Sequence, residues 1–423
     1  MLTEKLENEL QQLVEIGKSH DYKINAITFF NIYASLPSNH RTDDILNDMK
    51  DYLNRNSIEL VTDEVEMEEE QVNLIDQIQP FNPKEIDISM DRLSIDSLIK
   101  RIKNSEINLN TEFQRKSGLW SDIKKSQLIE SLLLNIPLPA FYFDASNEDD
   151  WLIIDGLQRI TALREFVVDK TLKLTGLEFF HDLEGVTFDK LPRTFVRRIE
   201  ETNIVVYKVN PGTPVNVKYN IFKRINTGGL ELKPQEIRHA LYQGKATETL
   251  KKIAGNKVFV ELLGNHIKRD RMQDQEFVLR YIAVCYYGIE KYEGLPDEFL
   301  NNTMEYLNQE NCEKSDAIES KLIQVFETVN HILGRFAFRK MAKDGRLRPI
   351  NKAIFEVWCK NIFALSEEER KQLVKKNTLV CEQFTILCEN DTFLQNIKAS
   401  DKSAFQKRMN SISELIKGVL DVK

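Results

Sequence analysis

Long apolar runs are missing from this 423-residue sequence. No stretch approaches the roughly 18 uncharged apolar residues that a membrane-crossing helix needs, so a membrane-embedded chain is excluded. Cysteine is scarce. The five are Cys285, Cys312, Cys359, Cys381 and Cys388, an odd count with no CxxC spacing. That argues against a zinc ribbon or a disulfide framework and for reduced thiols in a cytoplasm. The first residues lack the basic start and apolar stretch of a secretory signal, which again leads to the expectation of a cytoplasmic protein. Glycine (16) and proline (11) are too few for a collagen-like chain. There is no internal repeat.

What is present is ordinary for a globular protein: 42% hydrophobic and 29% charged residues. At about 150 residues per domain the length suggests two to four domains. The net charge of −8 is unevenly spread: residues 1–80 hold 6 basic and 17 acidic side chains, and the remainder holds 52 and 49. An acidic front end therefore precedes a mildly basic body, which can still carry patches for nucleic acid.

Residues 1–62 read as an acidic helical module, with Leu6, Leu10, Leu13 and Val14 at near-helical spacing, a second helix over 45–53 and an extended piece at 58–61. Six acids in eight residues over 63–70 repel one another and favour a solvated linker, taken as 63–85. Pro80 and Pro83 close it.

Residues 86–245 read as a mixed α/β domain. Ser94 caps a helix carrying Ile95, Leu98, Ile99 and Ile102, and Ser121 starts another with Leu128, Ile129, Leu132 and Leu133. Residues 140–143, 151–154 and 204–207 read as strands, 157–168 as a helix, and Thr213-Pro214 as the N-cap and first position of a helix reaching Arg224. Residues 246–423 read as an all-helical domain, clearest over 275–287, 315–336, 351–363 and 402–420. The fold class is thus α+β.

Three segments point to chemistry. In Asp155-Gly156-Leu157-Gln158-Arg159 a strand ends, Gly156 permits a tight turn and close approach, and a helix begins. Free amides at such a point suit an anion, Arg159 adds a fork for phosphate oxygens, and Asp155 could support a hydrated Mg²⁺. The segment also reads as a plain strand-to-helix turn with an Asp cap. Arg115 and Lys116 sit in a polar loop before the Ser121 helix, where they also read as solvated charge. The run Arg224-Ile225-Asn226-Thr227-Gly228-Gly229 ends a helix in exposed amides able to wrap a phosphate, or is a simple glycine cap.

In order and spacing these blocks, with Arg271-Met272-Gln273-Asp274-Gln275-Glu276 downstream, resemble the ParB/sulfiredoxin-like N-terminal domain of GmrSD-type restriction proteins. That family's hallmark is Asp-Gly-Gln-Gln-Arg. Leu157 replaces the first Gln, which removes any role assigned to it. The resemblance implies a ParB-like nucleotide-binding domain at 86–245 and a nucleoside triphosphate with Mg²⁺ used for hydrolysis or sensing in defence against phage DNA. It carries over Asp155, Gln158 and Arg159 as the core catalytic set, with Asp155 on the metal. Gly156, Arg115, Arg224, Asn226 and Thr227 would line the nucleotide. A non-enzymatic, nucleotide-gated DNA-binding protein is the alternative. Residues 13–61 also resemble region 1.1 of primary sigma factors, an acidic module that can occupy a DNA channel; a transcription-linked regulator is therefore a further alternative.

Family members often add an HNH nuclease. Only His331 lies beyond residue 300, inside an expected helix, so DNA cleavage would need a separate nuclease chain or an unusual site. DNA itself is an expected partner through Arg335, Arg339, Lys340, Lys343, Arg346 and Arg348, interleaved with Phe336 and Phe338. The same run also reads as two core phenylalanines with solvated charges outside.

Overall fold

The computed structural model describes residues 86–108, 120–225, 232–263, 266–309 and 314–422, with 23–25, 49, 52, 53, 55, 56 and 59–61 of the front segment. The chain divides into two compact units, 1–69 and 70–423. In the first, β1 (Lys23–Asn25) and β2 (Glu59–Val61) pair in parallel. The extended reading at 58–61 is borne out by β2. An all-helical reading of what precedes it is corrected by β1, whose three residues are too short to show a period. Met49, Tyr52 and Leu53 are helical, as expected there, and Met49 and Leu53 are buried.

The second unit is built on a mixed sheet. Its strands are β3 (Ile88–Ser94), β4 (Ile107–Asn108), β5 (Phe141–Asp144), β6 (Trp151–Asp155) and β7 (Asn203–Val209), in the order β3-β7-β5-β6-β4. β3 runs antiparallel to β7, β7 parallel to β5, β5 antiparallel to β6 and β6 parallel to β4. Side chains alternate across the sheet. Phe141, Phe143, Trp151, Ile153, Ile204 and Val206 share one face and one core with α1 (Ile95–Lys103), α2 (Asp122–Leu133), α3 (Leu157–Leu163) and α4 (Arg193–Glu201). Ile154 and Val209 face the other way, into Val217, Tyr219 and Phe222 of α5 (Val215–Ile225) and Ile237 of α6 (Pro234–Leu241). With both faces covered, β6 has no need of polar residues, which explains the unbroken Trp-Leu-Ile-Ile.

Local chemistry sets the helix starts. Ser94 accepts from the Ser97 amide at 3.2 Å and Ser121 from the Lys124 amide at 3.4 Å. Thr213 does not cap α5: its hydroxyl is buried without a partner, and Asn216 instead accepts from the Val217 amide. α3 continues as a π-turn over Arg164–Val168, so the expected helix of 157–168 is present.

The rest of this unit is helical: α7 (Lys245–Ala254), α8 (Lys257–Leu263), α9 (Gln273–Ile282), α10 (Pro296–Asn308), α11 (Ser315–Leu333), α12 (Lys352–Ala364), α13 (Glu367–Lys375), α14 (Asn377–Cys388), α15 (Asp391–Lys398) and α16 (Lys402–Asp421). Among the described residues no helix is long and apolar enough to cross a membrane. α11 stops at Leu333, short of the expected Phe336, because Gly334 breaks it with a positive φ of 53°.

A chain of charges, most of them buried, runs through these helices. Asp297 of α10 holds Arg238 of α6 and, at 2.8 Å, Lys223 of α5. Glu276 of α9 holds Arg280 at 3.0 Å and Lys352 at 2.9 Å. Glu356 of α12 bridges Arg280 and, at 3.3 Å, Arg408 of α16. Burial by itself would push the Glu276 carboxyl up, but Lys352, Arg280 and Arg238 outweigh it and hold the carboxyl well below its usual range.

Two outcomes follow from this chain. Glu356→Ala leaves Arg280 and Arg408 buried without their shared counter-charge, and should lower the unfolding free energy in urea by about 3–5 kcal/mol. The contribution of Glu276 is complete above the ordinary carboxylate pKa of about 4.3 and is withdrawn as pH falls toward its depressed folded value. Wild type should therefore lose stability on acidification below about pH 4.5, and Glu276→Gln should show a shallower acid slope. Parallel slopes would remove Glu276 from this account.

Candidate functional site

The strand-to-helix turn is formed where β6 delivers Asp155 and α3 begins at Leu157. Gly156 between them has φ +105°, a left-handed conformation that disfavours any side chain. A Cβ there would lie 2.5 Å from Cδ1 of Phe141. The close approach that the glycine permits is thus to a core ring on β5.

Arg159 lies in the first turn of α3 and is only 8% exposed. Its guanidinium donates to Asp155 Oδ2 at 2.7 Å, to the Ala140 carbonyl at 3.2 Å from both terminal nitrogens, and to the Pro139 carbonyl. It also stacks over the Phe141 ring, 4.4 Å from the centroid. Burial pulls its pKa down and the Asp155 carboxylate opposes that shift. The Arg159 fork is therefore taken up in clamping the entry to β5 against the start of α3.

Gln158 accepts the Trp120 amide through Oε1 at 3.1 Å, tying the start of α2 to the same turn. No side chain caps α3. Its first-turn amides, at Leu157, Gln158 and Arg159, have no intrahelical acceptor, the arrangement that makes a helix start attractive to an anion. Asp155 keeps its second carboxylate oxygen outside the Arg159 contact. Its register partner Tyr142 stacks on Tyr207 with centroids 4.9 Å apart. Neither tyrosine was marked by the sequence; a Phe-Tyr-Phe strand alternates like any other, and only the register places Tyr142 beside the turn.

The remaining expected residues are scattered. Arg224 is exposed in the last turn of α5. Arg115, Asn226 and Thr227 lie outside the described residues. Of the basic run, Arg339 is 3% exposed, donates to the Arg348 carbonyl, and is pulled down by burial to about 10. It holds the 334–351 loop together. Phe338, with φ +61°, is wholly buried against Phe326 and Phe355. Lys343 pairs with Glu389 and Arg348 with Asp344, each at 2.8 Å. Arg335 lies over the Phe336 ring, and Arg346 is exposed. Lys340 is half-buried. The run thus divides into an outer set, Arg335, Lys343, Arg346 and Arg348, and an inner set, Phe338 and Arg339.

A second fastening joins two further blocks. Glu236 of α6 receives Arg271 through both carboxylate oxygens at 2.8 Å and accepts the Lys233 amide at 2.7 Å. Met272, with φ +55°, then starts α9.

Arg159→Ala should lower thermal stability with no ligand added, by a loss on the order of 3 kcal/mol, because Asp155 and two carbonyls lose their donor. Unchanged unfolding of the ligand-free variant would mean that the clamp is not structural.

Residues 95–243, about a third of the chain, match the family model described as GmrSD restriction endonuclease, N-terminal domain. No curated protein and no solved structure gives a significant match. The matched span begins at α1, includes the Gly156 turn and the Arg159 clamp, and ends just after α6, so residues 95–243 are similar to the N-terminal domain of GmrSD restriction endonucleases.

Proposed function

We propose that this chain works in a GmrSD-type restriction system, in defence against foreign DNA, and that the Gly156 turn binds the phosphates of a nucleoside triphosphate. The family match carries the first part. The uncapped start of α3 carries the second. Because Arg159 is committed to Asp155 and to β5, the phosphates are held by backbone amides rather than by its guanidinium. Gln158 positions the start of α2 next to them. Tyr142 and Tyr207 offer a stacked aromatic pair close by.

Mg²⁺ arrives with the nucleotide in this reading. Among the described residues no group of three His, Cys, Asp or Glu side chains could hold a metal ion. That fits a cation coordinated mainly by phosphate and water, with at most one carboxylate oxygen of Asp155 near it. The outer basic residues of the 334–351 loop are the proposed contact to DNA phosphates, with Arg335 and Arg346 foremost. A nuclease partner is part of this proposal, since the matched span is the N-terminal domain alone. The closed Asp155–Arg159 pair favours a sensing role over rapid turnover, since it takes up the Arg159 guanidinium and leaves Asp155 a single carboxylate oxygen.

Gln158→Glu is the test. It keeps the oxygen that accepts the Trp120 amide, and an acid in the first turn of a helix favours folding. It also sets a negative charge beside the amides. Nucleotide affinity, followed by titration calorimetry with each triphosphate, should fall about tenfold or more while the unfolding temperature holds. Wild-type affinity in the variant would sink the turn as the phosphate site. Phosphate release by wild type, with and without DNA, separates hydrolysis from sensing.

A further inference from the structure

A cleft of about 630 Å³ opens between α11 and α13, far along the chain from the Gly156 turn. Its lining includes His331 and Glu327 from α11 and Glu367, Arg370, Lys371 and Lys375 from α13. Two helical stripes produce it. On α11, residues 324, 327, 328 and 331 recur at spacings of three and four. On α13, 367, 370, 371, 374 and 375 do the same.

The charges in the cleft are not balanced. Glu367 is held by Lys371 at 2.6 Å. Arg370 adds a weaker pull on that carboxylate and uses one nitrogen on the Leu365 carbonyl at 2.8 Å. Among the described residues Lys375 and His331 have no ion-pair partner, and Glu327 is the one lining carboxylate left against them. Lys321 lies one turn earlier on α11. Burial and the charge of Arg370 hold its ammonium below the ordinary value. Burial is the larger cause, and the Arg370 charge adds to it.

We propose that this cleft binds a small phosphorylated ligand, of nucleotide size, with its phosphate on Arg370 and Lys375. Arginine supplies a planar fork and lysine a point charge, the usual pairing for phosphate oxygens. The volume is that of small-ligand pockets, about 300–1,000 Å³. A nucleic-acid duplex needs a broad basic surface instead, and the Glu327 and Glu367 carboxylates would oppose its successive phosphates. The same two acids suit a ligand whose other end carries hydroxyl or amino donors. The site shares no residue with the Gly156 turn and does not depend on it.

Titration calorimetry of the full chain with inorganic pyrophosphate and with adenosine monophosphate, at low ionic strength, tests the assignment. Lys375→Ala changes an exposed side chain and should fold as wild type; Arg370→Lys keeps the charge but loses the fork. Affinity should fall about ten- to hundredfold in Lys375→Ala and less in Arg370→Lys. Gln158→Glu should leave this binding untouched. Three results would overturn the proposal: no uptake of either probe by wild type, equal affinity in Lys375→Ala, or a loss of binding in Lys375→Ala that is seen with a short DNA duplex and not with pyrophosphate. If Gln158→Glu removes the pyrophosphate signal and Lys375→Ala does not, the cleft is dismissed while the turn stands.

Discussion

The helical half of this protein is organised around Glu356, one carboxylate shared by two arginines from different helices. Arg280 reaches it from α9 and Arg408 from α16, and Arg280 is also held by Glu276, which takes Lys352 as well. Replacing such a chain by apolar groups of equal volume would often cost nothing in stability. Its effect is on arrangement. Hydrophobic contacts tolerate many packings, whereas a carboxylate between two guanidinium groups accepts few. α9, α12 and α16 are thereby held in one relation around Trp358 and the rings of Phe277, Phe326 and Phe355.

The same logic operates at the sheet. Residues that look like surface chemistry are fasteners between segments distant in sequence. Arg159 ties α3 to the start of β5, Glu236 ties α6 to Arg271, and Lys218 of α5 holds Asp144 of β5 at 2.9 Å. Each buried charge meets its partner close at hand, as a low-dielectric interior requires. What is left for a ligand at the Gly156 turn is backbone: amides presented by a helix start that no side chain closes. A site made of amides, as proposed for this turn, needs no polar side chain at 157, which accords with the presence of leucine there.

Much of the fold is legible because it is local. The stripe Ile95, Leu98, Ile99 and Ile102 defines α1 within nine residues, and Ser94 marks its start. The continuous Trp-Leu-Ile-Ile announces a strand covered on both sides. The turn itself is legible in Asp-Gly followed by a helical period. The roles of its side chains are not. Arg159 finds its carbonyl partners 19 and 20 residues away, across a strand pairing that no window reveals. Glu276 and Arg280, four apart on α9, are both buried, which their spacing alone does not reveal. Arg339 reads as one more charge in a basic run, yet the left-handed Phe338 before it turns both side chains inward. α11 and α13 are separately unremarkable amphipathic helices, and their cleft exists only because they pack together.

The span of the fastenings bears on how the chain comes together during synthesis. Arg238 is wholly buried and its partner Asp297 follows 59 residues later; Glu236 waits 35 residues for Arg271. A nascent chain that has released β3 through α6 holds every strand of the sheet, but two of the side chains meant for its interior still lack their counter-charges. Ribosomes extend a chain by about 5–20 residues per second, so this interval lasts several seconds. Over that time α6 has reason to remain solvated, and the last layer over β6 and β7 closes only as α9 and α10 emerge. The end of the matched domain at residue 243 is therefore a boundary of sequence similarity and not of folding.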